Sequence, residues 1–244
     1  MGIKIKLLAS GLKDSGNLGA LARLCDNFGV DELILISPEC EVDDRAYQRA
    51  TRSRRFLDNL KIVGSIEESL EHVDFLLGFT GKLGAKRKIA MKPVSLHSLH
   101  RYIQDYTNGT LGLLFGNESS GLSKGELAQC DLLTIIPTYG DNPILNITHS
   151  AAIGLYEVRK VNSEVLDDNA GLEMIKSSEK QKLFQFVERA VNASNIKEEY
   201  KESISMIFRN TFRRTFASPR EIRGLIGMFR QLAESLEEPM VRDD

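Results

Sequence analysis

The sequence predicts an α/β fold, a parallel sheet with helices on both faces, followed by a small all-helical appendage. Over the first 160 or so residues, short apolar runs alternate with helical patterns. The runs are continuous rather than alternating apolar with polar, as strands buried on both faces require. After a polar break, the chain keeps a helical period.

The apolar runs are KIKLLAS, ELILISP, KIVGS, DFLLGFT, TLGLLFG and LLTIIP, starting at Lys4, Glu32, Lys61, Asp74, Thr110 and Leu132. Helices are expected between them at Asn17–Phe28, Asp43–Arg54, Ile66–His72, Val94–Tyr106 and Lys124–Cys130. A longer helix is expected at Leu145–Val161, where Ile147, Ala151, Leu155 and Val158 share one face. The stretch 162–171 is polar and reads as a linker between a sheet domain, 1–161, and a helical domain, 172–244. In the latter, Ser218, Pro219 and Glu221 form a helix start: cap, first-turn proline and capping-box acid.

A hydrophobic content of 42% and a charged content of 27% suit a globular protein. No apolar run approaches the ~18–20 residues of a membrane span, and the N-terminus lacks the character of a signal peptide. The three cysteines are widely spaced, and the histidines make no metal-ligand pattern with them, so neither a disulfide framework nor a metal site is expected. A cytoplasmic, metal-free protein is the expectation. The net charge of −2 conceals basic stretches. Lys82–Lys92 and Gln48–Arg55 carry no acid, and Arg209–Arg230 holds six arginines against Glu221 alone. Such local concentration suits a reader of polyanions.

Ligands of open parallel sheets bind beyond the carboxyl ends of the strands, so three glycine-bearing junctions there matter most. In the first, GNLGALARLCDNFG (Gly16–Gly29), the stripe Leu18, Leu21, Ala22, Cys25 and Phe28 serves the core. Arg23 falls on nearly the opposite face, Asn17 stands where a helix cap is expected, and Gly19 permits a close approach to the backbone. The second, GLLFGNESSGLS (Gly112–Ser123), fits neither a nucleophile elbow, a Walker loop nor a dinucleotide fingerprint. Its Glu118 can accept hydrogen bonds that hold the loop. The third, IIPTYGDNPILNITHS (Ile135–Ser150), leads into a helix near Asn146.

In this order the junctions resemble the three motifs of the SpoU-type branch of the SPOUT RNA methyltransferases. The first motif is matched by Asn17, Gly19, Ala22, Arg23 and Asn27-Phe28-Gly29. The second is matched from Phe115 to Leu122, and the third by Ile136-Pro137 and Leu145-Asn146-Ile147. The basic loop GFTGKLGAKRK and the tail RRTFASPREIRGLIGMFRQL are similar to those of the TrmJ-type tRNA (cytidine/uridine-2′-O)-methyltransferases.

The resemblance implies a C-terminal deep trefoil knot, an exception to the unknotted rule, and a homodimer with sites built from both subunits. It implies S-adenosylmethionine as cofactor, contacted from Thr80, Gly81, Lys82, Gly116, Ile136, Ile144, Leu145 and Asn146. Gly116 would let the ligand approach the backbone. The implied reaction is 2′-O-methylation of nucleotide 32 in the tRNA anticodon loop. Arg23 would be the catalytic residue, offered to the partner's site. A guanidinium is a fixed cation, so its part would be to bind the neighbouring phosphate and polarise the hydroxyl. Asn17 would position substrate while facing the other subunit, and Glu118 and Asn146 would hold the pocket. Where relatives carry Ser before the Leu-Asn pair this chain has Ile144, which would pass that role to Thr148 or a backbone group. The alternatives are methylation of ribosomal RNA or another tRNA position, and a noncatalytic RNA-binding dimer. The sequence leaves open whether cytidine alone or uridine too is accepted.

Overall fold

A computed structural model describes residues 3–71, 73–81, 92–164, 172–173, 175–213 and 217–237. Its main sheet holds β1 (Lys4–Ser10), β2 (Glu32–Ile36), β3 (Lys61–Val63), β4 (Phe75–Phe79), β5 (Val94–Ser95), β7 (Thr110–Phe115) and β8 (Leu132–Ile135). The order is β3-β2-β1-β7-β4-β8-β5, and every neighbouring pair is parallel. Parallel neighbours need crossover connections, and the intervening helices supply them. A separate parallel pair joins β6 (Tyr106–Asn108) to β9 (Leu172–Glu173).

Side chains of successive strand residues go to opposite faces. In β1, Ile5, Leu7 and Ala9 join one core and Leu8 the other. The first core is closed by α1 (Ser15–Asn27), α2 (Asp44–Ala50), α3 (Arg55–Asp58), α5 (His100–Ile103) and α7 (Ile147–Glu164). The second is closed by α4 (Ile66–Leu70) and α6 (Lys124–Gln129). At the amino ends of the strands, carboxylates pin the backbone. Asp31 accepts from Ile5 N at 2.7 Å, Asp74 from Thr110 N at 2.9 Å and buried Asp131 from Leu76 N at 2.8 Å. The carboxyl ends are left to the glycine-bearing loops.

Helix α1 lies unusually close to α2. A Cβ on Gly19 would sit 2.1 Å from Ala46 O and 2.7 Å from Arg49 Cβ. The close approach that Gly19 allows is therefore to another helix of the same chain.

Several boundaries differ from expectation. Helix α1 starts at Ser15, and Asp14, not Asn17, is its cap, because the Asp14 carboxylate reaches the third amide of the helix. The expected helix Asp43–Arg54 stops at Ala50, where Thr51 turns to φ 54°, and α3 follows separately. The expected helix Val94–Tyr106 dissolves into β5, a 3-10 turn at Leu96–Ser98, α5 and the start of β6. Val94 and Ser95 are drawn into the sheet by pairing with β8, an interaction distant in sequence. Leu172–Glu173 is likewise strand, paired with β6, where a helical domain was expected to begin. Helix α7 runs on to Glu164, and residues 165–171 of the expected linker lie outside the described residues.

The chain divides into two compact units, Met1–Met174 and Ile175–Asp244. The second holds α8 (Ser177–Ala193), α9 (Glu198–Arg213) and α10 (Pro219–Glu237). It has its own core of Ile175, Leu183, Phe184, Val187, Phe212, Ala217 and Ile222. Ser218 and Glu221 cap α10 as expected: Ser218 N donates to Glu221 Oε2 at 2.6 Å, and Glu221 N to Ser218 Oγ at 3.3 Å.

Candidate active site

The site grows from the loops that leave β1, β4, β7 and β8. After β1, Asp14 Oδ1 accepts from Asn17 N at 2.8 Å, and Asp14 Oδ2 accepts from Arg45 Nη1 at 2.7 Å. The Asn17 amide, with the Arg45 guanidinium adding to it, holds the Asp14 carboxyl below its ordinary range.

After β7, the Asn117 side chain folds the loop on itself. Its Oδ1 accepts from the Ser119 and Ser120 amides at 3.0 and 2.7 Å. The loop closes tightly, because Asn117 bridges to Gly121 and Gly121 N donates to Asn117 O at 3.0 Å. This explains Gly116. A Cβ there would stand 2.1 Å from the carbonyl carbon of Gly121 and 2.2 Å from Leu122 N. The chain's own loop therefore demands this glycine in addition to any approach of a ligand from the cavity it lines. Beyond the loop, Ser123 and Glu126 cap α6 reciprocally.

Glu118 ties the first loop to the second. Its Oε2 accepts from Lys13 N at 3.1 Å, and its Oε1 from Asp14 N at 3.2 Å and Asn17 Nδ2 at 2.9 Å. Asn146 joins from the third loop. Its Oδ1 accepts from Thr148 N and Thr148 Oγ1, both at 2.8 Å, which caps α7. Its Nδ2 donates to Asn17 Oδ1 at 3.4 Å. The polarity of this chain is forced. A carboxylate only accepts, so the Asn17 NH₂ faces Glu118 and its oxygen faces Asn146. The Asn17 side chain is therefore tied to Glu118 and Asn146 of its own chain, and it does not itself line the cavity described next. The sequence pattern missed this because Asn17, Glu118 and Asn146 are brought together only by the order of β1, β7, β4 and β8 in the sheet. The Thr148 hydroxyl is engaged with Asn146, and Ile144 stands exposed at the cavity.

Beside this relay lies a cavity of about 360 Å³, within the usual range for small-molecule sites. Thr80, Gly81, Gly116, Glu118, Ile136, Ile144, Leu145 and Asn146 line it. Lys82 lies outside the described residues. Two further lining residues are Phe79, which sequence reasoning passed over, and Phe115, the first residue of the second motif; their ring centroids stack 4.4 Å apart. Their signal was their place as the last residues of β4 and β7, directly before the glycine-bearing loops. With Ile136, Ile144 and Leu145 they offer apolar surface to an aromatic base, while the loop backbones offer donors and acceptors. Such a mixture fits a nucleoside-bearing cofactor.

Arg23 stands apart. It is exposed on α1, does not line the cavity, and among the described residues has no hydrogen-bond or ion-pair partner. Among the described residues no cluster of His, Cys, Asp or Glu could hold a metal ion. Nor is any helix there long and apolar enough to cross a membrane.

Comparison with known proteins agrees with this geometry. The profile of the SpoU rRNA Methylase family matches residues 4–156. The tRNA (cytidine-2′-O-)-methyltransferase TrmJ of Methanocaldococcus jannaschii is 33% identical over 230 residues, covering 93% of this chain and 99% of that one. The crystal structure of TrmJ from Z. mobilis ZM4 matches at a TM-score of 0.72 and 20% identity, covering 95% and 99% of the two chains. The SpoU methyltransferase AviRb from Streptomyces viridochromogenes, in complex with the cofactor AdoMet, matches at 0.53 and 22%, covering 69% and 60%. With matching motifs on matching loops around one cavity, the chain belongs to the SpoU methylase family.

Proposed function

We propose that this protein is a tRNA 2′-O-methyltransferase that uses S-adenosylmethionine and acts on nucleotide 32 of the anticodon loop. The observation that carries the reading is the convergence of three separate loops on one cavity, beside the hydrogen-bonded relay Glu118–Asn17–Asn146. The archaeal relative that matches nearly end to end is a tRNA (cytidine-2′-O-)-methyltransferase, which favours tRNA over ribosomal RNA.

When bound, S-adenosylmethionine supplies an electrophilic methyl group. The residues that would hold it are Thr80, Gly81, Gly116, Ile136, Ile144, Leu145 and Asn146, with Lys82 as a further candidate. The chain's own residues do the positioning, which is where much of the rate of a transfer between two bound groups comes from. Glu118 locks the first and second loops in register. Asn146 starts α7 and orients the Asn17 amide. Asn17 presents a fixed polar edge toward the ribose. Arg23 binds the phosphate next to the target ribose and polarises its hydroxyl, as a planar, fixed cation with several donors suits.

Arg23 is exposed and does not line its own cavity, so we assign it to the cavity of a second copy in a homodimer. Exposed Ile153 and Tyr156 on the outward face of α7 are the contact surface this needs. The same reading includes a C-terminal trefoil knot and work in the cytoplasm. Both follow from the family resemblance.

The test is transfer of labelled methyl to an unmodified tRNA transcript, with the product nucleoside mapped. Ribose methylation at nucleotide 32 is the expected result, and exchange of cytidine for uridine there reads the base preference. Methylation at another position or only of ribosomal RNA overturns the assigned substrate. Binding of tRNA without transfer makes the protein a noncatalytic RNA-binding dimer.

A further inference from the structure

The arginines of the α1–α2 face are arranged in a way the catalytic reading does not use. Arg49 and Arg52 are exposed and, among the described residues, have no partner. Arg54 is exposed, and its guanidinium carbon lies 5.8 Å from the ring centre of Tyr47. Long cationic side chains on a net-acidic protein ordinarily find carboxylates. Here the neighbouring carboxylates are committed elsewhere. Asp26 takes Arg55 at 2.7 Å and Ser53 Oγ at 3.1 Å. Asp14 takes Arg45 at 2.7 Å, and Asp58 takes the Tyr47 hydroxyl at 3.1 Å. Asp43 accepts from Ala46 N and Ser15 Oγ, both at 2.9 Å. The exposed acid Asp44 lies in the first turn of α2, at the end away from Arg49 and Arg52.

The segments that carry these arginines are also close to one another. The stem of Arg49 packs over Gly19, one helical turn before Arg23 on α1. The loop carrying Arg52 and Arg54 is tied through Ser53 to Asp26, three residues after Arg23. The stretch of α1 from Gly19 to Asp26 is only about 10 Å long at the helical rise. A cluster of exposed, unneutralised guanidiniums over that length attracts an anion with several closely spaced charges, and phosphates are the group their fork geometry fits best.

We propose that Arg49, Arg52 and Arg54 form a track for the sugar-phosphate backbone of RNA, delivering the strand to Arg23. This rests on the reading that the substrate is tRNA. The contacts are to phosphate, so the track contributes affinity and register and does not read the base. The glycine at position 19 has a second consequence in this light. By letting α2 close onto α1, it sets the Arg49 stem beside the helix that carries Arg23.

The test is the affinity of the full-length protein for tRNA across a salt series. Each phosphate contact contributes about 0.7 to 0.9 to the slope of log K against log salt. Arg49→Gln, Arg52→Gln and Arg54→Gln are each expected to flatten that slope by about 1 and to weaken binding of all tRNAs alike. Arg101→Gln, on α5 beyond the opposite edge of the sheet, is the control expected to leave it unchanged. A slope untouched by the three substitutions overturns the proposal. So does a lower slope accompanied by a changed oligomeric state, because the arginines would then serve a contact between subunits. Methyl transfer by the unsubstituted protein is measured alongside. If it methylates tRNA while the slopes do not move, the track fails and the function stands; if it neither binds nor methylates tRNA, both fail.

Discussion

Single side chains divide the site's labour between holding and acting. Glu118 gathers three donors from the first loop, so its place in the motif has a structural cause independent of chemistry. Arg23 has no such cause. Replacing Arg23 by Ala is expected to abolish methyl transfer while cofactor affinity, measured by calorimetry, stays within a few-fold; unimpaired turnover contradicts its assigned role. Asp14 carries a different load. Its carboxyl is held below the ordinary range by the Asn17 amide and by Arg45. A lowered pKa in the folded state contributes stability that is present at neutral pH and lost as pH falls through the lowered value. Asp14→Ala is therefore expected to cost about 1 kcal/mol at pH 7, the usual worth of a helix cap. The gap from the unsubstituted protein should begin to narrow as pH falls below the ordinary carboxylate value of about 4 and close through the lowered value of Asp14. Denaturant unfolding at pH 7 and pH 3 checks both halves. A gap that persists unchanged at pH 3 means the cap does not depend on charge.

At the scale of elements, close contact decides more than propensity. Gly19 sits inside α1, where it costs roughly 1 kcal/mol of helix propensity against alanine. Adding the methyl would nonetheless destabilise, because it would meet the Ala46 carbonyl. Gly19→Ala is expected to lose about 1–3 kcal/mol, as overpacking does, and thermal unfolding reads it directly. A more stable protein would show that α1 and α2 are not so close. Sequence patterns located α1, β1, β2, β4, β7, α6 and α10 well, since each is marked by apolar period, caps or turn residues. They failed at Val94–Tyr106 and Leu172–Glu173. Both are short pieces whose state is settled by a strand partner far along the chain, which no local signal can reveal.

For the whole molecule, the sheet order brings the ends of β4, β7 and β8 side by side, so loops separated by dozens of residues become one cavity wall. Arg23 is exposed on α1 and does not line the cavity, and the proposed function assigns it to a second copy. That division makes a sharp expectation for mixed subunits. Arg23→Ala supplies a sound cavity but no arginine, and Ile144→Trp, at an exposed position of the cavity lining, supplies the arginine but a blocked cavity. Each alone should be inactive. After subunit exchange of equal amounts, roughly a quarter of the sites combine one sound part from each, as random pairing into twofold dimers requires. Activity recovered to about that level supports sites shared between subunits. No recovery, with exchange verified, assigns each site to a single chain.

Taken alone, the sequence determined the α/β class with its parallel sheet, the three glycine-bearing loops at strand ends and the family they resemble. Those are written in local patterns: continuous apolar runs, helix caps, and glycines at strand ends. Tertiary structure decided what the motif residues are for. It turned Asn17 from a helix cap into the middle of a relay and made Gly116, which lines the cavity, a requirement of its own loop's closure. Gly19 became the floor on which α2 rests. The physical reason is the same in each case. The partners that give these residues their roles, Glu118, Gly121 and Ala46, are supplied by the path of the folded chain and leave no mark on the local pattern of residues.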